Sequence, residues 1–260
     1  MTLFFAFCIA AFVLGACIGS FLNVCIYRIP AGLSIVHPGS RCPGCGEAIF
    51  WYDNIPLVSY LVLLRGKCRF CKMSVSIRYL FVELVTGFFA VACLYAFGLT
   101  FYSLVNFLFM ATLIVVSFID LDHLIIPDRI SLPGIFVFFL AAFSASSPSW
   151  QDRAIGIVAG AGSIWLISAG YRQVTGKDGM GGGDAKLLAM VGALIGWQGV
   201  LFTLFSASAI GTLVGMPALI KSGKGLTAQI PFGPFLSAGA ILYLFFGEAL
   251  IHWYLHLWLP

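Results

Sequence analysis

Charged side chains are scarce in this chain of 260 residues. Asp, Glu, Lys and Arg together make up 9% of it, whereas 61% of the residues are hydrophobic. Mean hydropathy is +1.03. Soluble globular domains carry roughly a quarter charged residues, so this composition excludes an ordinary soluble protein. The scarcity of charge therefore predicts an integral membrane protein.

Two further features are missing from the sequence. No G-x-G-x-x-G run follows a predicted strand, which excludes a separate dinucleotide-type domain for a soluble cofactor. The N-terminal stretch MTLFFAFCIA lacks the basic segment and the small-residue cleavage site of a secretory signal, so we expect the first apolar stretch to be retained as a span.

Uncharged stretches predict the membrane spans, because a helix needs about 20 apolar residues to cross the hydrocarbon core. Six stretches qualify or nearly qualify: 3–27, 84–119, 130–143, 154–171, 187–220, and 229–252, the last of which is interrupted by Glu248. Two of them have double length, and Gly98 and the GWQG sequence at 196–199 are the expected turns within them. The sequence predicts an all-α polytopic membrane protein with about eight transmembrane helices.

The distribution of basic residues predicts the orientation of these helices. With eight spans and the N-terminus outside, every Lys and Arg except Arg153 falls on one side of the membrane. Basic residues accumulate on the cytoplasmic side of short loops. We therefore expect a multi-pass protein of the bacterial inner membrane, and the formal charge of +4 is explained by these anchors without invoking nucleic acid.

The most polar segment lies between the first two spans and carries half of the eight cysteines. RCPGCGEAIF and GKCRFCKMS supply Cys42, Cys45, Cys68 and Cys71 as two C-x2-C pairs. This spacing is typical of a tetrahedral thiolate site for structural zinc, and a cytoplasmic location disfavours two disulfides. The predicted organisation is a first helix at 1–27, a cytoplasmic zinc-binding loop with four cysteines at 28–77, and a seven-helix membrane domain at 78–260.

Carboxylates are few enough to consider singly. Asp53 belongs to the cysteine loop, where we expect it to be solvated. Glu83 lies five residues after Arg78 at the inner end of the second span, so it either pairs with a nearby arginine or binds a polar ligand. It is the one candidate for a cofactor-binding residue.

Two aspartate clusters fall on the same predicted face of the membrane. In FIDLDHLIIPDRI, Asp120 ends the third span, Asp122 follows it, and Asp128 after Pro127 is expected to begin the fourth. In GMGGGDAKLL, residues 179–188, glycines permit close backbone approach and Asp184 begins a helix.

A pair of isolated aspartates supports the chemistry of an aspartic dyad. One carboxyl stays protonated and polarises a scissile carbonyl, while the other is ionised and activates water. The alternative is that Asp120 and Asp184 sit at helix ends facing water.

The order of these motifs resembles the type IV prepilin peptidases, which combine leader peptidase and N-methyltransferase activities in pilus assembly and type II secretion. The resemblance runs over almost the whole chain: GSFLNVCIYRIP at 19–30, the cysteine loop, RYLFVELVTG at 78–87, both aspartate motifs, and IPFGPFLSAGA at 230–240.

This resemblance implies that Asp120 and Asp184 are the catalytic pair, with Asp122 in reserve. Residues two apart on a helix point about 200° away from each other, so Asp120 and Asp122 cannot both face one partner. It also implies cleavage of prepilin or pseudopilin leaders on the cytoplasmic side, after the glycine that precedes the mature N-terminus. The new amine would then be methylated with S-adenosylmethionine, and proteolysis itself would need no cofactor.

Three other classes remain alternatives. A transporter would place Asp120 and Asp184 in an ion path, but no internal duplication supports it. A lipid phosphotransferase would use Asp120, Asp122, His123 and Asp128 as divalent-metal ligands. Presenilin-like proteases share the G-x-G-D pattern, whereas the cysteine loop and the IPFGPF motif favour the prepilin peptidases.

Overall fold

The computed structural model describes residues 2–141, 148–176, 181–215, 217 and 230–258. Seven long helices account for most of these residues. In chain order they are α1 Thr2–Arg28, α2 Ile77–Phe97, α3 Phe101–His123, α4 Asp128–Ala141, α5 Trp150–Thr175, α6 Gly182–Ile210 and α7 Gly233–Trp258. Residues 179 and 180 of the glycine motif lie outside the described residues.

The helices follow the uncharged stretches of the sequence. Five of them are long and apolar enough to cross a membrane: α1, α2, α3, α5, and α6 with its extension to Gly215. Helix α4, with 14 residues, is shorter, and α7 contains a shorter apolar segment at Gly233–Gly247. A helical, multi-pass membrane architecture is thus confirmed.

The two predicted turns are present. Gly98 has a φ of 66° and separates α2 from α3, which starts three residues later. Gly196 has φ 75° and ψ −179°, a conformation outside the helical region, and it breaks α6 in the middle. The first double-length stretch is therefore divided at Gly98, and the second is interrupted at the first residue of GWQG.

The chain forms two compact units, Met1–Val115 and Val116–Pro260, with the boundary inside α3. In the first unit α1 packs along α2. In the second unit α6 is the central element, since α4, α5 and α7 all pack against it. Accordingly, the segment 187–196 of α6 is entirely buried.

The contact between α5 and α6 depends on small residues. A Cβ atom at Gly156 would lie 2.7 Å from the Gly192 carbonyl oxygen. A Cβ atom at Gly160 would lie 2.5 Å from the Leu188 carbonyl oxygen. Distances this short leave no room for a side chain, so the two backbones meet directly. Close packing of this type is a common way for helices to associate in membranes.

The conformation of Gly196 gives a test of the fold. We expect Gly196→Ala to destabilise the protein by about 1–3 kcal/mol, because this backbone region is nearly restricted to glycine. Gly162→Ala on α5 is the matched control, since nothing lies within 4 Å of the added Cβ. Thermal unfolding in detergent measures both changes, and equal midpoints for the two variants would contradict the assignment of Gly196 as an obligatory break.

Candidate functional site

The four predicted metal ligands come together in the first unit. Four Sγ atoms lie within 4.8 Å of one another, those of Cys42, Cys45, Cys68 and Cys71. The Sγ atoms of Cys42 and Cys71 are 3.7 Å apart, and those of Cys45 and Cys68 are 3.9 Å apart. Four sulfurs around a tetrahedral zinc with bonds of about 2.3 Å lie about 3.8 Å from one another. The cluster therefore fits a zinc ion, and its distances are far too long for disulfide bonds.

The two cysteine pairs lie in matching backbone turns. Isolated bridges join Arg41 to Ala48 and Lys67 to Ser74, and each encloses one C-x2-C pair. In both turns the first cysteine donates its N–H to the carbonyl five residues later, at 2.9 Å for Cys42 and 2.8 Å for Cys68. The repeated geometry presents two sulfurs from each turn to one point.

The electrostatics of the cluster favour a bound cation. Hydrogen bonds from two backbone N–H groups, those of Cys45 and Gly44, lower the pKa of Cys42 to about 6. By contrast, the pKa of Cys45 is raised to about 11. A hydrogen bond at the Glu47 backbone lowers this pKa, but burial and the neighbouring sulfurs raise it by more. Four thiols this close cannot all ionise alone, and a divalent metal removes that conflict.

An ion pair with a buried carboxylate supports the same loop, and here the sequence-based expectation is wrong. Asp53, predicted to be solvated, is only 7% exposed. Arg69 donates from Nε to its carboxylate at 2.8 Å and stacks over the Tyr52 ring at 5.4 Å. The hydrogen bond from Arg69 is the main reason that the pKa of Asp53 is lowered. Nothing in the local sequence identifies these residues as partners, because they are 16 positions apart.

Glu83 is buried at the start of α2 and is 7% exposed. Its Oε2 accepts a hydrogen bond from the Leu57 N–H at 2.8 Å, and the Ser20 side chain also interacts with the carboxylate. A Cβ at Gly19 would lie 2.8 Å from the Glu83 Cα, so the glycine of the GSFLN motif allows α1 to reach this point. The last residue of that motif, Asn23, donates to the Tyr79 carbonyl at 3.2 Å.

A cavity of about 360 Å³ lies between Glu83 and the cysteine loop. Both cysteine turns contribute to its wall through Cys42 and Cys68, and Asp53 and Tyr60 line it as well. The volume is within the range of about 300–1,000 Å³ that is usual for small-molecule sites. No sequence pattern indicated this cavity, since its lining comes from separated segments of the loop and from α2.

The two candidate catalytic aspartates come together in the second unit. Asp120, near the end of α3, is 5% exposed, whereas Asp122 is exposed. Asp184 is in the first turn of α6, and its carboxylate interacts electrostatically with that of Asp120. Of the two aspartates in the FIDLDH segment, the buried Asp120 is therefore the one that interacts with Asp184.

A third motif contributes to this pair. Gly233 of IPFGPF is the first residue of α7, and its N–H donates to the Asp120 Oδ2 at 2.8 Å. The first N–H groups of a helix have no partner within the helix, so Asp120 satisfies one of them. A Cβ at Gly233 would lie 2.8 Å from the same oxygen. Sequence reasoning noted this motif only as part of a resemblance and missed its contact.

Two neighbouring groups shape the start of α6. A Cβ at Gly183 would lie 2.9 Å from the Ile126 Cβ, so the glycine allows the segment before α4 to approach Asp184. Asp128 begins α4 as predicted, and Lys186 Nζ donates to its Oδ1 at 2.6 Å. Both side chains of that pair are substantially exposed, so the ion pair contributes no more than about 1 kcal/mol.

The carboxylates of the FIDLDH segment do not form a metal site in the described part of the chain. Within those residues, the four cysteines are the one group of three or more side chains whose ligand atoms converge. A phosphotransferase using Asp120, Asp122, His123 and Asp128 as joint ligands is therefore unsupported by the geometry.

Two family models match the chain. Residues 13–97 match the Bacterial Peptidase A24 N-terminal domain, and residues 107–216 match the Type IV leader peptidase family. The first range contains the cysteine loop and Glu83, and the second contains both aspartates. No solved structure matches significantly.

Curated relatives carry the name Prepilin leader peptidase/N-methyltransferase. The protein from Stutzerimonas stutzeri is 36% identical over 96% of this chain and 94% of its own length, and that from Pseudomonas aeruginosa has the same values. A protein of this name from Myxococcus xanthus is 42% identical over 84% of this chain, which spans 65% of that relative.

The metal site can be tested by metal analysis of the purified protein. We expect about one equivalent of zinc per chain, lost in Cys45→Ser and Cys71→Ser because three thiolates no longer close the tetrahedron. Cys17→Ser in α1, away from the cluster, is the control and should keep its metal. Wild-type protein that is folded and takes up no zinc when zinc is supplied would contradict the assignment.

Proposed function

The chain belongs to the type IV leader peptidase family, and from this premise we propose that it is an intramembrane aspartic endopeptidase whose catalytic pair is Asp120 and Asp184. Its reaction is the removal of the leader peptide from type IV prepilins, followed by N-methylation of the new N-terminal residue. The residue assignment is supported by the electrostatic interaction between the two carboxylates, one of them buried, among apolar helices.

The proposed mechanism uses the pair as one acid and one base. Like charges in close contact cannot both be ionised at low cost, so the two carboxyls share one proton and titrate as a unit. The ionised carboxylate takes a proton from the attacking water, and the protonated carboxyl donates its proton to the carbonyl oxygen of the scissile bond. When the tetrahedral intermediate collapses, the leaving amine takes up a proton.

Gly233 would be a positioning residue in this mechanism. Its N–H holds the Asp120 Oδ2 from the start of α7, and the absence of a side chain leaves space beside that oxygen. Gly183 has the corresponding role at Asp184, where it allows close packing against Ile126. Catalytic groups need this support because small misplacements slow a reaction strongly.

The substrate would reach the pair through the lipid. A prepilin or pseudopilin carries an apolar helix directly after its leader, so lateral entry would deliver the scissile bond to the membrane boundary. We propose eight crossings, an external N-terminus and a cytoplasmic active site in the bacterial inner membrane. The asymmetry of the Lys and Arg residues supports that orientation.

We propose the same division of the chain as a functional one: a first helix at 1–27, a cytoplasmic loop at 28–77, and a membrane domain at 78–260. Zinc, our proposal for the metal, would be held in the loop by Cys42, Cys45, Cys68 and Cys71. It would fold a segment too small to build a hydrophobic core and would take no part in either reaction. S-adenosylmethionine would supply the methyl group for the second reaction.

The catalytic pair is tested by conservative substitutions. Asp120→Asn and Asp184→Asn should each slow leader cleavage by at least about 10²–10⁴-fold, the usual contribution of acid–base catalysis. Asp122→Asn, two residues away and exposed, is the matched control and should remain active. Mass spectrometry of a leader-bearing prepilin incubated with each purified variant measures the cleavage. Normal cleavage by either of the first two variants would refute the assignment.

A second test replaces single glycines near the aspartate pair with alanine. Gly233→Ala should slow cleavage by about 10²-fold, because the added methyl group displaces the Asp120 carboxylate. Gly182→Ala, two residues before Asp184, is the control, since nothing lies within 4 Å of its Cβ. If both variants cleave at the wild-type rate, Gly233 does not position Asp120.

A further inference from the structure

The cavity of about 360 Å³ beside Glu83 has walls of mixed chemistry. We refer to it as the loop cavity, and its lining residues all lie between Arg41 and Glu83. Aromatic rings, basic side chains and a buried carboxylate occur together in this lining. A cavity used only as a fold core would have no need of these polar groups.

Glu83 is the buried anchor of the loop cavity. Its carboxylate is covered by the chain at Leu57, whose N–H reaches Oε2 at 2.8 Å. Leu57 has a φ of 62°, a conformation that L-residues other than Asn and Asp rarely adopt. Uncommon backbone conformations of this kind concentrate at ligand sites, where the surrounding structure holds them in place.

The aromatic part of the lining faces the same space. Tyr79 lies one helical turn before Glu83 on α2, so both occupy one face of that helix. Tyr60 closes the cavity from the loop, held by a hydrogen bond from its hydroxyl to the Val75 carbonyl at 3.3 Å. Aromatic faces stack on flat heterocycles and attract onium cations.

Basic side chains complete the set. Arg41 and Lys67 line the loop cavity beside the cysteine turns. A ligand that uses all of these groups has an aromatic heterocycle, hydroxyl or ammonium donors for Glu83, a positive centre, and a carboxylate for a basic residue. Few small molecules combine these features, and an adenosyl sulfonium amino acid has all of them.

We propose that the loop cavity is the binding site for S-adenosylmethionine and that Glu83 accepts hydrogen bonds from its hydroxyl or ammonium groups. This inference rests on the proposed N-methyltransferase function and adds a location to it. In the transfer, the neutral amine of the new N-terminal residue forms a bond to the methyl carbon, the carbon–sulfur bond breaks, and its electron pair stays on sulfur. The methylated amine keeps or releases its proton to solvent.

The location also connects the metal cluster to methylation. Cys42 and Cys68 belong both to the cluster and to the wall of the loop cavity. Loss of the metal would therefore open the wall where the methyl donor binds. A structural metal thus affects the affinity for the methyl donor without contacting it.

The test measures binding rather than turnover. The full-length protein in lipid nanodiscs is titrated with S-adenosylmethionine and with S-adenosylhomocysteine by calorimetry. Glu83→Gln should weaken both affinities by at least about tenfold, since a carboxylate accepting hydrogen bonds from a ligand contributes about one factor of ten or more. Unchanged affinity in a folded Glu83→Gln protein would overturn the proposal.

Two further variants keep the test decisive if Glu83→Gln fails to fold. Tyr79→Ala should weaken binding, whereas Tyr95→Ala, on the same helix, outside the cavity lining and 79% exposed, should bind as the wild type does. Ala48→Trp places a large ring on the cavity wall and should block binding while the cysteine cluster keeps its metal. Wild-type affinity in both Tyr79→Ala and Ala48→Trp would overturn the proposal.

Photocrosslinking locates the site directly. Radiolabelled S-adenosylmethionine, activated by ultraviolet light, should label peptides within residues 41–83, and excess S-adenosylhomocysteine should remove the label. Competed labelling confined to residues 148–258 would overturn the location and leave the methyltransferase function intact. A wild-type protein that cleaves prepilin but neither binds nor transfers the methyl group would instead refute the proposed second activity itself.

Discussion

A carboxylate buried among apolar helices must be satisfied by nearby hydrogen-bond donors, and this requirement governs where the segments of this chain meet. Asp120 and Glu83 are both less than a tenth exposed. Each accepts a hydrogen bond from a backbone N–H, that of Gly233 or of Leu57, at 2.8 Å. A buried carboxylate without such a partner would destabilise the fold by about several kcal/mol, as any isolated buried ion does. The two contacts therefore fix the start of α7 in one unit and the path of the cysteine loop in the other.

Glycine allows close approach at both acidic residues. At each buried carboxylate a glycine faces the acidic residue: Gly233 faces the side chain of Asp120, and Gly19 faces the backbone of Glu83. A Cβ at either glycine would lie 2.8 Å from its neighbour, below any normal contact distance. The GSFLN and IPFGPF motifs thus have a physical meaning, because each brings a backbone close to an acidic residue that an added side chain would displace.

The distribution of chemistry follows the two compact units. The first unit holds the cysteine cluster, Glu83 and the loop cavity, and the second holds the aspartate pair. The two family matches, at residues 13–97 and 107–216, fall on either side of nearly the same boundary. Under our proposals, the peptidase pair belongs to the second unit and the methyl-donor site to the first.

The sequence alone determined the membrane class, the helices with their interruptions at Gly98 and in GWQG, and the four cysteines that come together. These features depend on local properties: the length of apolar stretches and the spacing of thiols. The pairing of Asp53 with Arg69, the contact of Gly233 with Asp120, and the cavity beside Glu83 were decided only by the tertiary structure. Each joins residues that are distant along the chain, and no local pattern specifies which donor a folded backbone brings to a given carboxylate.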